Sequence, residues 1–76
     1  MQIGLVLYGT EFCHLCDEAK AILRETQIEA DYVDIAEDDE LLETYGIRIP
    51  VLKRADNGAE LGWPFDAVTV SRFLDL

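Results

Sequence analysis

The sequence predicts an α/β fold, with strands and helices in the order β-α-β-α-β-β-α. Three observations support this prediction: a short apolar run near the start, a change to helical spacing immediately after it, and turn residues between two extended segments near the end. With 76 residues, the chain is too short to divide its apolar residues between two stable cores. We therefore expect residues 1–76 to form one domain.

The first strand and the first helix follow from a change in hydrophobic period. Residues 3–8 are almost continuously apolar, which is typical of a strand buried on both faces at the centre of a sheet. After Gly9 and Thr10 the period becomes helical, with one apolar stripe at Leu15, Ala19, Ile22 and Leu23. The first helix is therefore expected to begin close to Cys13.

The second strand and the second helix occupy the middle of the chain. Residues 30–35 carry Tyr32 and Ile35 and follow the first helix closely enough to complete a right-handed β-α-β unit with parallel strands. The acidic residues 37–40 suit the N-terminus of a short helix, and Gly46 suits its end. We expect about two turns of helix there.

A hairpin and a third helix complete the predicted fold. The turn residues Asp56-Asn57-Gly58 separate two extended segments, which are expected to pair as antiparallel strands over 51–54 and 59–61. Asp66 is placed to cap the third helix. The apolar residues that share one face of this helix are Ala67, Val70, Phe73 and Leu74.

The charge of the chain excludes some classes of partner. Sixteen acidic and six basic residues give a formal charge of -10, which repels phosphate backbones and anionic lipid surfaces. No run approaches the roughly 20 apolar residues that a membrane-spanning helix needs, and no signal-peptide pattern precedes the first strand. We therefore expect a cytoplasmic, monomeric protein that binds neither nucleic acid nor membrane.

Cys13 and Cys16 are the residues best suited to chemistry. They lie three positions apart at the expected start of a helix, where both thiols fall on the same side of the first turn. Backbone N–H groups at a helix N-terminus lack intrahelical partners and favour the thiolate of Cys13, although the acidic neighbours oppose this effect. Because Cys13 precedes the helix, we predict that it is the nucleophile and that Cys16, one turn inside, resolves the mixed disulfide.

Two other interpretations of the cysteine pair stay open at this point. The thiols are inert, or they hold zinc or an iron-sulfur cluster. A closed zinc site needs four ligands, and a single chain does not supply them as sulfur and nitrogen because His14 is its only histidine. We expect no metal in one chain, so such a site would have to be shared between two chains.

Three segments carry a family resemblance. They are Tyr8-Gly9-Thr10-Glu11-Phe12-Cys13-His14-Leu15-Cys16 after the first strand, Tyr45-Gly46-Ile47-Arg48-Ile49-Pro50-Val51-Leu52 before the hairpin, and Asp66, which opens the last helix after Gly62. In this order and spacing, the chain resembles the glutaredoxin branch of the thioredoxin superfamily over essentially its whole length.

The resemblance implies a thioredoxin-like fold and a thiol-disulfide oxidoreductase. The fold has a four-stranded mixed sheet in the order 2-1-3-4 and three helices, the first and third on one face and the second on the other. A cis Pro50 would face the cysteine pair and leave the Ile49 backbone free to pair with an extended thiol substrate. The partner would be a disulfide-containing protein or a small thiol, with no bound cofactor and with glutathione as co-substrate. The alternative is a module that binds a peptide beside Pro50 with little turnover.

The chain departs from the family pattern around the glutathione site. Glutaredoxins usually place Pro-Tyr between the cysteines and a lysine shortly before them, whereas His14-Leu15 and residues 10–12 stand there in this chain. The usual Gly-Gly before the last helix is replaced by residues 62–65. Asp66 is the residue that still matches the family as a contact to the tripeptide.

Other residues near these motifs complete the predicted substrate site. Arg48 precedes Ile49-Pro50 and is a candidate for a carboxylate contact, while Trp63 either borders the substrate groove or packs against the core. The full candidate set for substrate or glutathione is Phe12, His14, Arg48, Ile49, Pro50, Trp63 and Asp66. The aromatic residues expected in the core or at its edge are Tyr8, Phe12, Tyr32, Tyr45 and Phe73.

Overall fold

The computed structural model describes residues 4–75. Its strands and α-helices follow the predicted order, but a 3-10 helix that was not predicted takes up Ile35, the expected end of the second strand. They are β1 (Leu5–Gly9), α1 (His14–Glu25), β2 (Asp31–Asp34), a short 3-10 helix (Ile35–Glu37), α2 (Asp39–Tyr45), β3 (Val51–Arg54), β4 (Glu60–Gly62) and α3 (Ala67–Leu74). Residue 3, the predicted start of the first strand, lies outside the described residues. Over residues 4–75, no helix combines the length and apolar content needed to cross a membrane.

The four strands form one mixed sheet in the order β2-β1-β3-β4, which confirms the predicted order. β1 runs parallel to β2 and antiparallel to β3, and β3 pairs antiparallel with β4. Along β1, the buried residues Leu5, Leu7 and Gly9 alternate with the half-buried Val6 and Tyr8. Since side chains alternate across a strand, these two sets face opposite sides of the sheet.

Each face of the sheet has its own apolar cluster. α1 and α3 cover the face that carries Leu5 and Leu7, and this first cluster is completed by Ala19, Leu23, Leu52, Phe65, Val70 and Phe73. α2 covers the opposite face, where the second cluster contains Ile35, Tyr45 and Val51, packed against Tyr8, Leu41 and Ile49. The predicted placement of the three helices is therefore confirmed.

The predicted apolar stripe of α1 holds except at its first residue. Ala19 and Leu23 are buried and Ile22 is half-buried, but Leu15 is 42% exposed. Cys16, one residue further on, is completely buried and takes the inward position of that turn. Leu15 therefore lies outside the core, which corrects the prediction.

The ends of α2 and α3 are fixed by the residues that the sequence indicates. Asp38 and Asp66 are the N-caps of these helices. The Asp38 side chain accepts hydrogen bonds from two backbone N–H groups of the first turn, and the Asp66 side chain accepts one from Thr69. Gly46 ends α2 as predicted, with right-handed backbone angles. A Cβ atom at Gly46 would lie 2.5 Å from the carbonyl oxygen of Leu42, so the close approach of the backbone explains the glycine.

Arg54 joins the hairpin to the end of α3. It is buried, and its guanidinium donates to the carbonyl oxygens of Phe73 at 2.8 Å and Leu74 at 3.3 Å. It also pairs with Asp56 in the hairpin turn at 2.6 Å. A cation at the C-terminus of a helix satisfies carbonyl groups that have no intrahelical partner, so Arg54 stabilises both elements.

Candidate active site

Cys13 is the N-cap of α1, which confirms the predicted start of the helix. The chain turns between β1 and α1 through Phe12, which has a positive φ of 60°, and Cys13 is extended. The Sγ atom of Cys13 accepts a hydrogen bond from the backbone N–H of Cys16 at 3.2 Å. This sulfur takes the place of the oxygen that serine or aspartate supplies at most helix N-caps.

The two thiols have different environments. Cys13 is half-buried, whereas Cys16 is completely buried. Burial raises the pKa of the Cys16 thiol to about 11, a hydrogen bond with Cys13 adds to the rise, and the Thr10 backbone and the Lys20 charge oppose it. Cys16 is therefore a thiol at neutral pH, behind a more accessible sulfur.

Within the described part of the chain, no three His, Cys, Asp or Glu side chains are grouped so as to hold a metal ion.

The peptide bond between Ile49 and Pro50 is cis, as the resemblance implies. Pro50 is buried, and the pairing of Tyr8 with Val51 puts it beside the end of β1, from which the chain leads to Cys13. The Ile49 N–H donates to the carbonyl oxygen of Tyr45 at 3.1 Å. The prediction of a free Ile49 backbone is therefore wrong for this donor, because the turn after α2 already uses it.

Arg48 is held by a carboxylate of the chain itself. Its guanidinium pairs with Glu60 at 3.0 Å and lies 5.2 Å from the centre of the Tyr45 ring. The Tyr45 hydroxyl donates to the other oxygen of Glu60. The hydrogen bond from Tyr45 lowers the pKa of Glu60; burial opposes this effect and Arg48 adds to it. The same hydrogen bond raises the pKa of Tyr45 to about 12. A substrate carboxylate would have to compete with Glu60 for Arg48.

Asp66 and Trp63 both contribute to the fold before α3. One oxygen of Asp66 accepts hydrogen bonds from the N–H and the hydroxyl of Thr69, each at 2.8 Å, and these bonds lower the pKa of Asp66. Trp63 is half-buried, meets Phe65 edge to face at 5.0 Å between ring centroids, and packs against the first cluster. These contacts show the packing role of Trp63, and its role at a substrate groove stays a prediction. The bond between Trp63 and Pro64 is also cis, which nothing in the sequence indicates.

Phe12 and His14 lie on the surface on either side of Cys13. The Phe12 side chain is fully exposed, so its predicted place in the core or at its edge is wrong. The reason is that Phe12 belongs to the turn between β1 and α1, whereas Tyr8, Tyr45 and Phe73 lie on packed elements and are buried or half-buried as predicted. His14 is exposed at the first position of α1.

Tyr32 is exposed and belongs to neither apolar cluster, so its predicted place in the core or at its edge is wrong, and it lies at the cysteine site. Its side chain is 38% exposed, and the Lys20 ammonium is 3.8 Å from its ring centroid. A Cβ atom on Gly9 would be 2.9 Å from the Tyr32 hydroxyl oxygen and 3.0 Å from the Cys16 sulfur. Burial first, and then the Cys16 charge, raise the pKa of Tyr32 to about 12. The β-α-β pattern places β2 beside β1, but nothing in the sequence indicates that the side chains of Tyr32 and Cys16 lie close together.

Comparison with known families agrees with this geometry. The profile of the glutaredoxin-like domain family (DUF836) matches residues 4–75. This chain belongs to the glutaredoxin-like domain family. Membership of the family, together with the thioredoxin-like fold, indicates a function of the redox type.

Solved structures of two bacterial proteins resemble this glutaredoxin-like domain along nearly its whole length. The crystal structure of protein XcR50 from X. campestris is 41% identical, with a TM-score of 0.88, and the match covers 95% of this chain and 96% of that one. The solution structure of XcR50 gives 42% identity, a TM-score of 0.84 and coverage of 95% and 92%. The solution structure of protein Ne2328 from Nitrosomonas europaea is 32% identical, with a TM-score of 0.82 and coverage of 96% and 92%. No curated protein matches the chain.

Proposed function

We propose that this glutaredoxin-like domain is a thiol-disulfide oxidoreductase in which Cys13 attacks and Cys16 resolves. The observation that carries the proposal is the hydrogen bond from the Cys16 N–H to the Cys13 sulfur at the N-cap of α1. This bond holds the Cys13 sulfur at the first turn of α1, where Cys16 follows it three residues later. Because Cys13 is half-buried and Cys16 is completely buried, Cys13 is the thiol that a substrate reaches first.

The proposed reaction consists of two exchanges. The Cys13 thiolate attacks one sulfur of a substrate disulfide, so that a mixed disulfide forms and the other substrate sulfur leaves as a thiolate. Cys16 then loses its proton to solvent and attacks the Cys13 sulfur. The Cys13–Cys16 bond forms, the bond to the substrate breaks, and the second substrate sulfur leaves with the electron pair. The two cysteines are oxidised to a disulfide, and the substrate is reduced by two electrons.

We further propose that a small thiol returns the pair to the dithiol, with glutathione as the candidate. Two thiol molecules supply the two electrons and leave as their own disulfide. The exposure of Phe12 and His14 keeps the surface around Cys13 open to a small molecule. Since Glu60 already holds Arg48, we expect weak glutathione binding before the covalent step.

The test is a redox titration of wild-type protein with glutathione, together with mass spectrometry of Cys16→Ser and Cys13→Ser after glutathione disulfide is added. We expect wild type to form the Cys13–Cys16 disulfide. Cys16→Ser should hold one glutathione on Cys13, because no second thiol releases it. The matched variant Cys13→Ser should form little adduct, because its remaining thiol is buried and protonated. If wild type forms no disulfide and Cys16→Ser forms no adduct, the proposed function is wrong.

A further inference from the structure

Tyr32 and Cys16 approach the same point of the sheet from different elements. Tyr32 is in register with Leu7, on the face of the sheet that α1 covers. Gly9 lies on that face two residues beyond Leu7, and it is buried. The space that a side chain of Gly9 would fill is bordered by the Tyr32 hydroxyl and the Cys16 sulfur. The phenol and the buried thiol are therefore neighbours across the end of β1.

Lys20 is placed to hold the Tyr32 ring in this position. Lys20 follows Cys16 by one helical turn and so lies on the same side of α1. Its ammonium lies 3.8 Å from the Tyr32 ring centroid, a distance at which the face of an aromatic ring attracts a cation. The same charge favours the ionised form of Cys16. One helix thus supplies both the thiol and the cation, and β2 supplies the tyrosine whose ring the cation contacts.

The proposed reaction creates a negative charge at this buried place. Cys16 has to be a thiolate when it attacks the mixed disulfide, and it leaves as a thiolate when the disulfide is reduced. Burial opposes that charge. Burial and then the charges of Cys16, Asp34, Cys13 and Asp17 also raise the pKa of Tyr32. Two groups can stabilise a negative charge on Cys16. They are the Tyr32 hydroxyl, which keeps its proton at neutral pH, and the Lys20 ammonium.

We propose that Tyr32 is a further catalytic residue, whose hydroxyl donates a hydrogen bond to the Cys16 thiolate, and that Lys20 is its positioning residue. This inference rests on the proposed dithiol mechanism and concerns its second exchange. In that step the Cys16 proton goes to solvent, the Cys16 sulfur bonds to Cys13, and the substrate sulfur leaves with the electron pair. Tyr32 keeps its own proton throughout. Cys13 attacks the substrate without help from Tyr32.

The experiment follows the release of coloured thiolate after a chromogenic aryl disulfide is added to the reduced protein, as a function of pH. The first equivalent reports attack by Cys13, and the second reports resolution by Cys16. In Tyr32→Phe we expect the first phase to be unchanged and the second to be about tenfold slower near neutral pH, which corresponds to a rise of one pKa unit in Cys16. The midpoint of the second phase should move to higher pH.

Substitutions at two other residues separate this role from a structural one. Tyr8→Phe removes a hydroxyl on the opposite face of the sheet and should leave both phases unchanged. Lys20→Met should slow the second phase less than Tyr32→Phe does, and Lys20→Arg should restore it. An unchanged second phase in Tyr32→Phe would overturn the inference while leaving the dithiol mechanism intact. Release of a single equivalent by wild type would overturn both.

Discussion

Tyr32 and Tyr45 lie on opposite faces of the sheet, and they have in common a cation over the ring and a raised pKa. Each has a cation over its ring, Lys20 at 3.8 Å from the Tyr32 centroid and Arg48 at 5.2 Å from the Tyr45 centroid. Each has a pKa raised to about 12. The causes differ, because the hydrogen bond to Glu60 contributes most for Tyr45, whereas burial and then the Cys16 charge contribute most for Tyr32.

The partner of each hydroxyl therefore shows more about the role of the tyrosine than the rise in its pKa does. Tyr45 donates to the carboxylate of Glu60, which Arg48 also binds, so its hydroxyl connects α2 to β4. Tyr32 lies beside a sulfur whose charge changes in the proposed reaction. We infer that the first hydroxyl serves the fold and that the second serves the chemistry.

The largest expected effect is on stability, and it should separate the two tyrosines. Tyr45→Phe removes a hydrogen bond to an ionised group from a buried residue, so we expect the free energy of unfolding to fall by about 1.5–3 kcal/mol. Tyr32→Phe should change it by less than about 0.5 kcal/mol. Urea denaturation at neutral pH measures both, with unchanged m-values as the control. An equal loss in the two variants would contradict the comparison.

A smaller effect should appear in the pH dependence of stability, through Glu60. Its pKa is lowered below the ordinary value of 4.5 in the folded protein, so folding favours the ionised form. This contribution is complete above the ordinary pKa and is lost as the pH falls through the lowered one. Glu60→Gln should therefore be less stable than wild type at neutral pH, and the two should converge in acid.

Unfolding free energies measured from about pH 7 to about pH 3 follow this convergence. Glu43→Gln, an exposed substitution on α2, is the matched control and should run parallel to wild type. A constant difference between Glu60→Gln and wild type at every pH would show that ionisation of Glu60 does not stabilise the fold.

The smallest expected effect concerns the two cations. Arg48 pairs with Glu60 at a partly exposed site, so Arg48→Met should lower the free energy of unfolding by less than about 1 kcal/mol. Lys20→Met should change it by no more than about 0.5 kcal/mol, although it slows the resolving step. Denaturation of both variants beside wild type measures the difference. A larger loss in Lys20→Met than in Arg48→Met would assign Lys20 a structural role.

Local patterns were sufficient to predict most of the fold. The apolar run before Gly9 predicts a central strand, and the turn that includes Gly58 predicts the hairpin, where Gly58 adopts a positive φ of 73°. Asp66 caps α3 as its position indicates. The motif of Cys13 and Cys16 fixes the place of the candidate site. These features depend on neighbours close in sequence, where spacing and residue type carry the information.

The sequence by itself thus determined the order of the elements and the place of the cysteine pair, and its resemblance to a known family added the order of the sheet. Only the tertiary structure decided which distant side chains meet. Tyr32 reaches Gly9 and Cys16 through the register of β1 with β2, and Arg54 reaches the end of α3 through the packing of the hairpin. Hydrophobic period shows which face a residue occupies, but its neighbour on that face depends on register and packing between elements.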